Sequence, residues 1–320
     1  MRKESWGTLI YTNEHSFEFK PKKGMKPAPY VSEPLILNID LTFSCNMQCP
    51  HCVAMDMAEQ LGGREDADLR CSEELLEAIN ESRFMVVVIT GGEPLLNEYR
   101  ERLIWLIEGI RKKGVIIDTN GTIMPSPQLI SLLQKKRAMV RISWDIPDPT
   151  AECHLRRYTS GMYQNDVDYM LAKESIIEEL IRKKVTVSVQ SVLHLRNYLN
   201  SSMLMFPKKL RALGIKKWYI QRYIPSYKTR GKYSLSYRKY EKAIKRLTKL
   251  AEKENIECIT KLDRRHNSVF LLVKDGQLYT QSDEIAGNKV PLGKIGKISN
   301  FFEYVSAPDH SARYYPEFHV

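Results

Sequence analysis

Three cysteines fall within eight residues, in the segment Ser44-Cys45-Asn46-Met47-Gln48-Cys49-Pro50-His51-Cys52. The spacing C-x-x-x-C-x-x-C suits a metal-binding loop rather than a disulfide framework. Three thiolates on one short loop can take three corners of a cuboidal [4Fe–4S] cluster and leave the fourth iron open for another ligand. A pure electron carrier would use four cysteines. Three cysteines with His51 or a distant ligand could also make a structural zinc site, and the spacing alone leaves both open. Core thiols are a poor reading of three cysteines in a polar, Pro-containing loop.

A second constellation is Thr90-Gly91-Gly92-Glu93-Pro94, directly after a β-branched run. Two glycines let a backbone approach a ligand closely at the carboxyl end of a strand, where α/β folds bind ligands. Glu93 offers a carboxylate beside that edge, suited to an ammonium group. Alone, the segment reads as a strand-to-helix turn with Pro94 near the helix start. With the cysteine loop one strand earlier, it reads as part of the same site.

The elements that must position these residues follow a regular pattern from Leu35 onward. Strands are expected at 35–41, 85–90, 115–118, 138–143, 185–193 and 216–224, and helices at 72–82, 98–112, 126–136, 165–183, 201–213 and 235–254. Strands rich in β-branched residues, each followed by an amphipathic helix, imply parallel βαβ units. Six in a row make an α/β fold, a partial barrel or a doubly wound sheet, and periodicity does not choose between them. Residues 1–33 read as a hairpin around Asn13-Glu14 followed by a Pro- and Lys-rich linker. Residues 34–254 form the main domain. Residues 255–320 read as a small C-terminal subdomain containing a hairpin with an Asp275-Gly276 turn.

Cys45, Cys49 and Cys52 together with Gly91-Gly92-Glu93-Pro94 resemble the radical S-adenosylmethionine (SAM) superfamily, over roughly residues 35–225. The resemblance implies a partial (β/α)6 TIM-like barrel with a [4Fe–4S] cluster at its mouth. It implies that SAM binds the open iron and is reductively cleaved to methionine and a 5′-deoxyadenosyl radical, which takes a hydrogen atom from a substrate. Carried over residue by residue, His51 before the third cysteine would lie against the adenine. Gly91, Gly92 and Glu93 would meet the SAM amino group. Thr119 and Asn120, in the Thr119-Asn120-Gly121-Thr122 turn, would sit near the methionine end, although this turn reads equally as a plain Asn-Gly turn. Ser143 and Asp145 match the family's Ser-x-Asp segment. Arg156 is expected at the SAM carboxylate, with Arg157 as the alternative in a loop that also carries His154. Gln190 and Ser191 are expected to point into the barrel toward SAM, and Gln221 or Tyr223 to line the adenine or the substrate. Relatives that modify peptides often carry further cysteines in a C-terminal extension. Here that frame lacks them, with Thr280 in the comparable place, so a single cluster is expected.

The remaining cysteines, Cys71, Cys153 and Cys258, read as incidental thiols. The sharper alternative makes Cys153 a hydrogen-atom donor, because it follows the fourth strand near the barrel mouth. The chain of 320 residues is 43% apolar, enough for a sizeable core. Lys plus Arg number 49 against 38 Asp plus Glu, a net +11. The positive charges are spread along helices without interleaved aromatics, which favours a solvated surface over a nucleic-acid face. No apolar leader or spanning stretch is visible, so a cytoplasmic protein is expected. A flavodoxin- or ferredoxin-type electron donor is implied by the family. The substrate is read as a peptide or protein side chain. The alternatives are a small molecule (a nucleotide, sugar or cofactor precursor) and, in another class, a non-catalytic basic metal-binding protein.

Overall fold

A computed structural model describes residues 2–4, 7–13, 16–21, 36–54, 58, 71–82, 84, 86–223, 231–260, 270–273, 276–281 and 289–295. A three-stranded antiparallel sheet comprises β1 (Arg2–Glu4), β2 (Gly7–Asn13) and β3 (Ser16–Pro21). β2 and β3 are the arms of the expected hairpin, and β1 adds an edge that the sequence did not signal.

Among the described residues the main sheet has ten strands. β4 (Ile36–Thr42), β5 (Val86–Gly91), β6 (Gly114–Thr119), β7 (Met139–Ser143), β8 (Thr186–Leu193) and β9 (Lys217–Arg222) are the six expected strands, paired in parallel in chain order. A seventh, β10 (Glu257–Thr260), joins β9 in parallel. At the other edge β11 (Phe270–Val273) runs parallel to β4 and is followed by antiparallel β12 (Gln277–Gln281) and β13 (Lys289–Lys294). The sheet is open, since its order ends in β10 on one side and β13 on the other. The segment from 255 thus supplies strands to both edges of the barrel sheet. β10 is four residues long and without alternating burial, too short for a period to be read.

All six expected helices are present, and the starts of four are set by side-chain caps. Ser72, Ser126, Asn165 and Ser236 each accept a hydrogen bond from a backbone N–H of the first turn. The helix Pro149–Leu155 was not expected from the sequence. Its seven residues carry too little periodicity, although its Asp148 cap and Pro149 at the first position follow the usual start chemistry. Among the described residues no helix is long and apolar enough to cross a membrane.

The strands alternate. Ile39, Ile89, Ile117, Val140 and Val189 pack with Leu103, Leu133, Ile177 and Leu210 of the helices into one core. The opposite face carries Asp118, Arg141, Gln190, Tyr219 and Gln221. Arg141 donates two 2.7 Å hydrogen bonds to Asp118 and stacks 4.9 Å from the Tyr219 ring centre. Gln221 Nε2 donates to Gln190 Oε1 at 3.0 Å. A polar inner face beneath an apolar helix layer is what a ligand-holding barrel needs.

The ends of β4 and β5 are joined through backbone groups. Gly92 N–H donates to the Thr42 carbonyl at 2.6 Å and Glu93 N–H to the Ser44 carbonyl at 2.8 Å. A Cβ on Gly91 would overlap the Thr42 carbonyl oxygen, and one on Gly92 the Ser44 carbonyl oxygen. Gly91 also has φ +123°, which disfavours any side chain. The clash at Gly92 is with backbone, which no rotamer change relieves. Gly92→Ala is therefore expected to destabilise the protein by about 3 kcal/mol. Gly161→Ala, at a positive φ but in open space, should cost about 1 kcal/mol. Urea unfolding of the two variants checks the difference.

Candidate functional site

The cysteine loop leaves β4 and is stitched to chain segments on both sides. Ser44 N–H donates to Thr42 Oγ1 at 3.0 Å, and Tyr99 donates to Ser44 Oγ at 3.0 Å. Gln48 N–H donates to the Arg157 carbonyl at 2.7 Å, and Thr159 donates its Oγ1 to the Asn46 carbonyl at 2.8 Å. Cys45, Cys49 and Cys52 are all half-buried free thiols on this loop. Burial pushes Cys45 up to about 11. It pushes Cys49 higher still, against the pull of the Arg156 guanidinium. Among the described residues no three His, Cys, Asp or Glu side chains are gathered as ligands of a single ion. The three thiols of one short loop, with an amide N–H facing Cys45 and a cation near Cys49, form a donor set that fits an anionic iron–sulfur cluster.

Glu93 is fully buried. Its Oε1 accepts Leu95 N–H at 3.0 Å and Thr119 Oγ1 at 2.8 Å, and its Oε2 accepts Asn120 N–H at 2.7 Å. Burial raises its pKa to about 7, although all three donors pull the other way. The carboxylate read from the sequence as a partner for an ammonium group thus clamps the end of β5 to the end of β6. The glycines before it approach the chain's own cysteine loop.

Asp145 gathers two further expected residues, Arg156 and His51. It is fully buried, and its Oδ1 accepts Val192 N–H at 2.7 Å. Its Oδ2 lies 2.8 Å from Arg156 Nε and 3.3 Å from His51 Nε2. Both contacts are electrostatic, because neither Asp145 Oδ2 nor Arg156 Nε has an aligned hydrogen-bond partner. Burial opposes the Asp145 charge, but Arg156 and His51 overcome it and hold the carboxyl well below the usual range. Arg156 stays cationic despite burial, held by Asp145. Arg157 and His154 are exposed. Ser143 is half-buried, and its carbonyl accepts from Lys173 Nζ at 3.1 Å.

Gln190 and Gln221 meet on the inner face, as described above. Ser191 does not join them. It donates to the Trp144 carbonyl at 2.5 Å and accepts from Trp218 Nε1 at 2.9 Å, on the helix-facing side. Adjacent strand residues face opposite ways, so the expectation that both Gln190 and Ser191 point into the barrel is corrected for Ser191. Cys153 is buried with Met47 and Tyr169, against Cys45 and Cys49. Burial pushes its thiol up to about 12, so it is neutral.

Residues 39–172 match the family model of the Radical SAM superfamily. The chain carries a radical SAM domain. It is 39% identical over 90 residues to the 7-carboxy-7-deazaguanine synthase of Hyperthermus butylicus, covering 26% of this chain and 33% of that protein. The chain thus spans about a third of the length of this curated relative. Its fold is similar to that of Streptococcus suis SuiB bound to the precursor peptide SuiA, with a TM-score of 0.63 at 16% identity, covering 88% of this chain and 66% of the other. It is also similar to anSMEcpe with bound AdoMet and the Cp18Cys peptide, with a TM-score of 0.60 at 19% identity, covering 87% and 81%.

Sequence reasoning missed Glu152, Lys173, His194 and Tyr233, of which only Glu152 lies within the matched residues. Glu152 accepts the Asp145 and Ile146 N–H groups at 3.0 Å and pairs with Lys173 at 2.8 Å, all fully buried. Burial lowers the Lys173 pKa. On a helix, Lys173 reads as one more solvated cation. The His194 ring lies 5.4 Å from His51 and 5.3 Å from Tyr233, and burial pushes it down to about 4. Its position directly after β8 was the available signal.

Because Glu93 titrates higher when folded, the folded state binds more protons than the unfolded one between about 4.5 and about 7. Its contribution to stability is complete below that window and is lost as pH rises through it. The loss is on the order of 3 kcal/mol. Metal-free Glu93→Gln should lack this part of the pH slope relative to wild type, measured by urea midpoints across the window.

Proposed function

We propose that this chain is a radical SAM enzyme in which Cys45, Cys49 and Cys52 hold one [4Fe–4S] cluster, and that it acts on a peptide or protein side chain. The observation that carries the reading is the cysteine loop itself. The three cysteines lie on one short loop, whose first residues are hydrogen-bonded backbone to backbone to the glycine–glutamate segment, at the carboxyl ends of the parallel strands. When bound, the cluster and SAM supply one-electron cleavage to methionine and a 5′-deoxyadenosyl radical able to take a hydrogen atom from the substrate. The protein's residues bind and orient. His51, beside Asp145, would lie against the adenine. Arg156 keeps a buried positive charge for the SAM carboxylate. The Gly92–Glu93 edge, Thr119, Asn120 and Ser143 border the methionine end, and Gln190 with Gln221 faces the lumen. A flavodoxin- or ferredoxin-type protein of the cytoplasm is the proposed source of the electron.

Two observations support a peptide substrate. The likeness to SuiB and anSMEcpe runs over 87–88% of this chain, well beyond the family-matched residues. Both of those structures hold a peptide. The similarity to a 7-carboxy-7-deazaguanine synthase favours the second reading, a small nitrogen heterocycle, but it covers only 26% of the chain.

Anaerobically reconstituted wild type is expected to bind about four irons per chain and to form 5′-deoxyadenosine from SAM and dithionite. Cys45→Ala should lose both. Iron retained at the wild-type level in that variant would remove Cys45 from the cluster. Deuterated candidate peptides, such as a short product encoded beside this gene, should pass label into 5′-deoxyadenosine. Transfer from a deuterated deazapurine precursor alone would establish the second reading.

A further inference from the structure

Asn120 is buried at the end of β6, and its neighbours fix which way its amide faces. Its Oδ1 accepts the Thr122 backbone N–H at 2.9 Å and Thr122 Oγ1 at 2.6 Å. A backbone N–H is only a donor, so the oxygen must face it and Nδ2 must face the cysteine loop. There Nδ2 donates to Asn46 Oδ1 at 2.8 Å and to Cys45 Sγ at 3.8 Å. Asn46 Nδ2 closes the ring by donating to Thr122 Oγ1 at 2.9 Å. The Asn120 main chain is anchored as well, through its N–H to Glu93.

Hydrogen bonds to the sulfurs of an iron–sulfur centre help set its reduction potential, and groups behind the ligands orient them. An N–H aimed at a ligand sulfur stabilises negative charge there. The reduced cluster carries one more negative charge than the oxidised one, so the donor favours reduction. We propose that Asn120 is a positioning residue of the cluster, holding Cys45 and raising the cluster's reduction potential through its amide N–H. This rests on the proposed binding of a cluster by the three cysteines. It gives Asn120 a role toward the iron site, separate from contact with the methionine end of SAM.

The test compares wild type, Asn120→Ala, Asn120→Asp and Asn46→Ala, all reconstituted anaerobically. Iron is counted, and midpoint potentials are measured without SAM by titration followed through the EPR signal of the reduced cluster. Asn120→Ala should shift the midpoint to more negative potential. Asn120→Asp keeps the side chain's shape but puts a carboxylate in place of the donor, and should shift it further the same way. Asn46→Ala breaks the same ring but leaves the N–H facing Cys45. It should lose iron faster to a chelator and keep the wild-type midpoint. If the alanine variant holds no cluster, the isosteric aspartate variant carries the comparison. Equal midpoints in wild type and the Asn120 variants would overturn the proposal. So would a shift in Asn46→Ala as large as that in Asn120→Ala, since a loosened loop would then explain both. A wild type that binds no iron would overturn the cluster reading, a result recognisable before any variant is examined.

Discussion

Two carbonyl groups at the end of β4, those of Thr42 and Ser44, receive the N–H groups of Gly92 and Glu93, and lie so close that a Cβ on Gly91 or Gly92 would overlap them. This close approach makes the cysteine loop and the glycine–glutamate turn a single unit. From it the contacts extend in a closed circuit. Glu93 reaches β6 through Thr119 and Asn120, and Asn120 returns through Asn46 and Cys45 to the loop where the circuit began. Three strand ends are held in fixed relation by the chain's own groups. Such preorganisation is what a site needs if its ligands are to meet at a stated geometry.

The second unit is built from charge. Asp145, Glu152, Arg156 and Lys173 are two anions and two cations taken almost completely out of water. Desolvating four charges is costly, and the cost is offset only because the ions pair and backbone donors fill the remaining sites. Glu152 takes two backbone N–H groups as well as Lys173, and Asp145 takes the N–H of Val192. Removing one member would strand its partner, at about 3–5 kcal/mol. His51 belongs to both units, since it sits in the cysteine loop and contacts Asp145. Positioning of the loop is therefore coupled to the charge state of the helix that follows β7.

A buried aromatic and imidazole group forms a third layer. His51, His194, Tyr223 and Tyr233 lie with ring centres 5.3–6.3 Å apart. His51 Nδ1 and His194 Nε2 are buried without a hydrogen-bond partner among the described residues. Unpaired polar atoms of this kind carry a desolvation cost that a bound ligand can relieve.

The sequence by itself determined the parts of this protein encoded over short stretches of chain. The six strands and their helices follow from β-branched runs, helical periods and Ser or Asn caps, each readable within a few residues. The cysteine spacing and the glycine–glutamate turn are likewise local, and together they carried the family and the candidate cluster site. Tertiary structure decided how residues far apart in the chain are paired. It sent Ser191 away from the lumen, placed β10 and β13 on opposite edges of one sheet, and buried Lys173 against Glu152. It also brought Asn120 to Cys45 across 75 residues of chain. Such pairings depend on strand order and register, which are fixed only when the whole sheet assembles, and no local pattern of residue types records them.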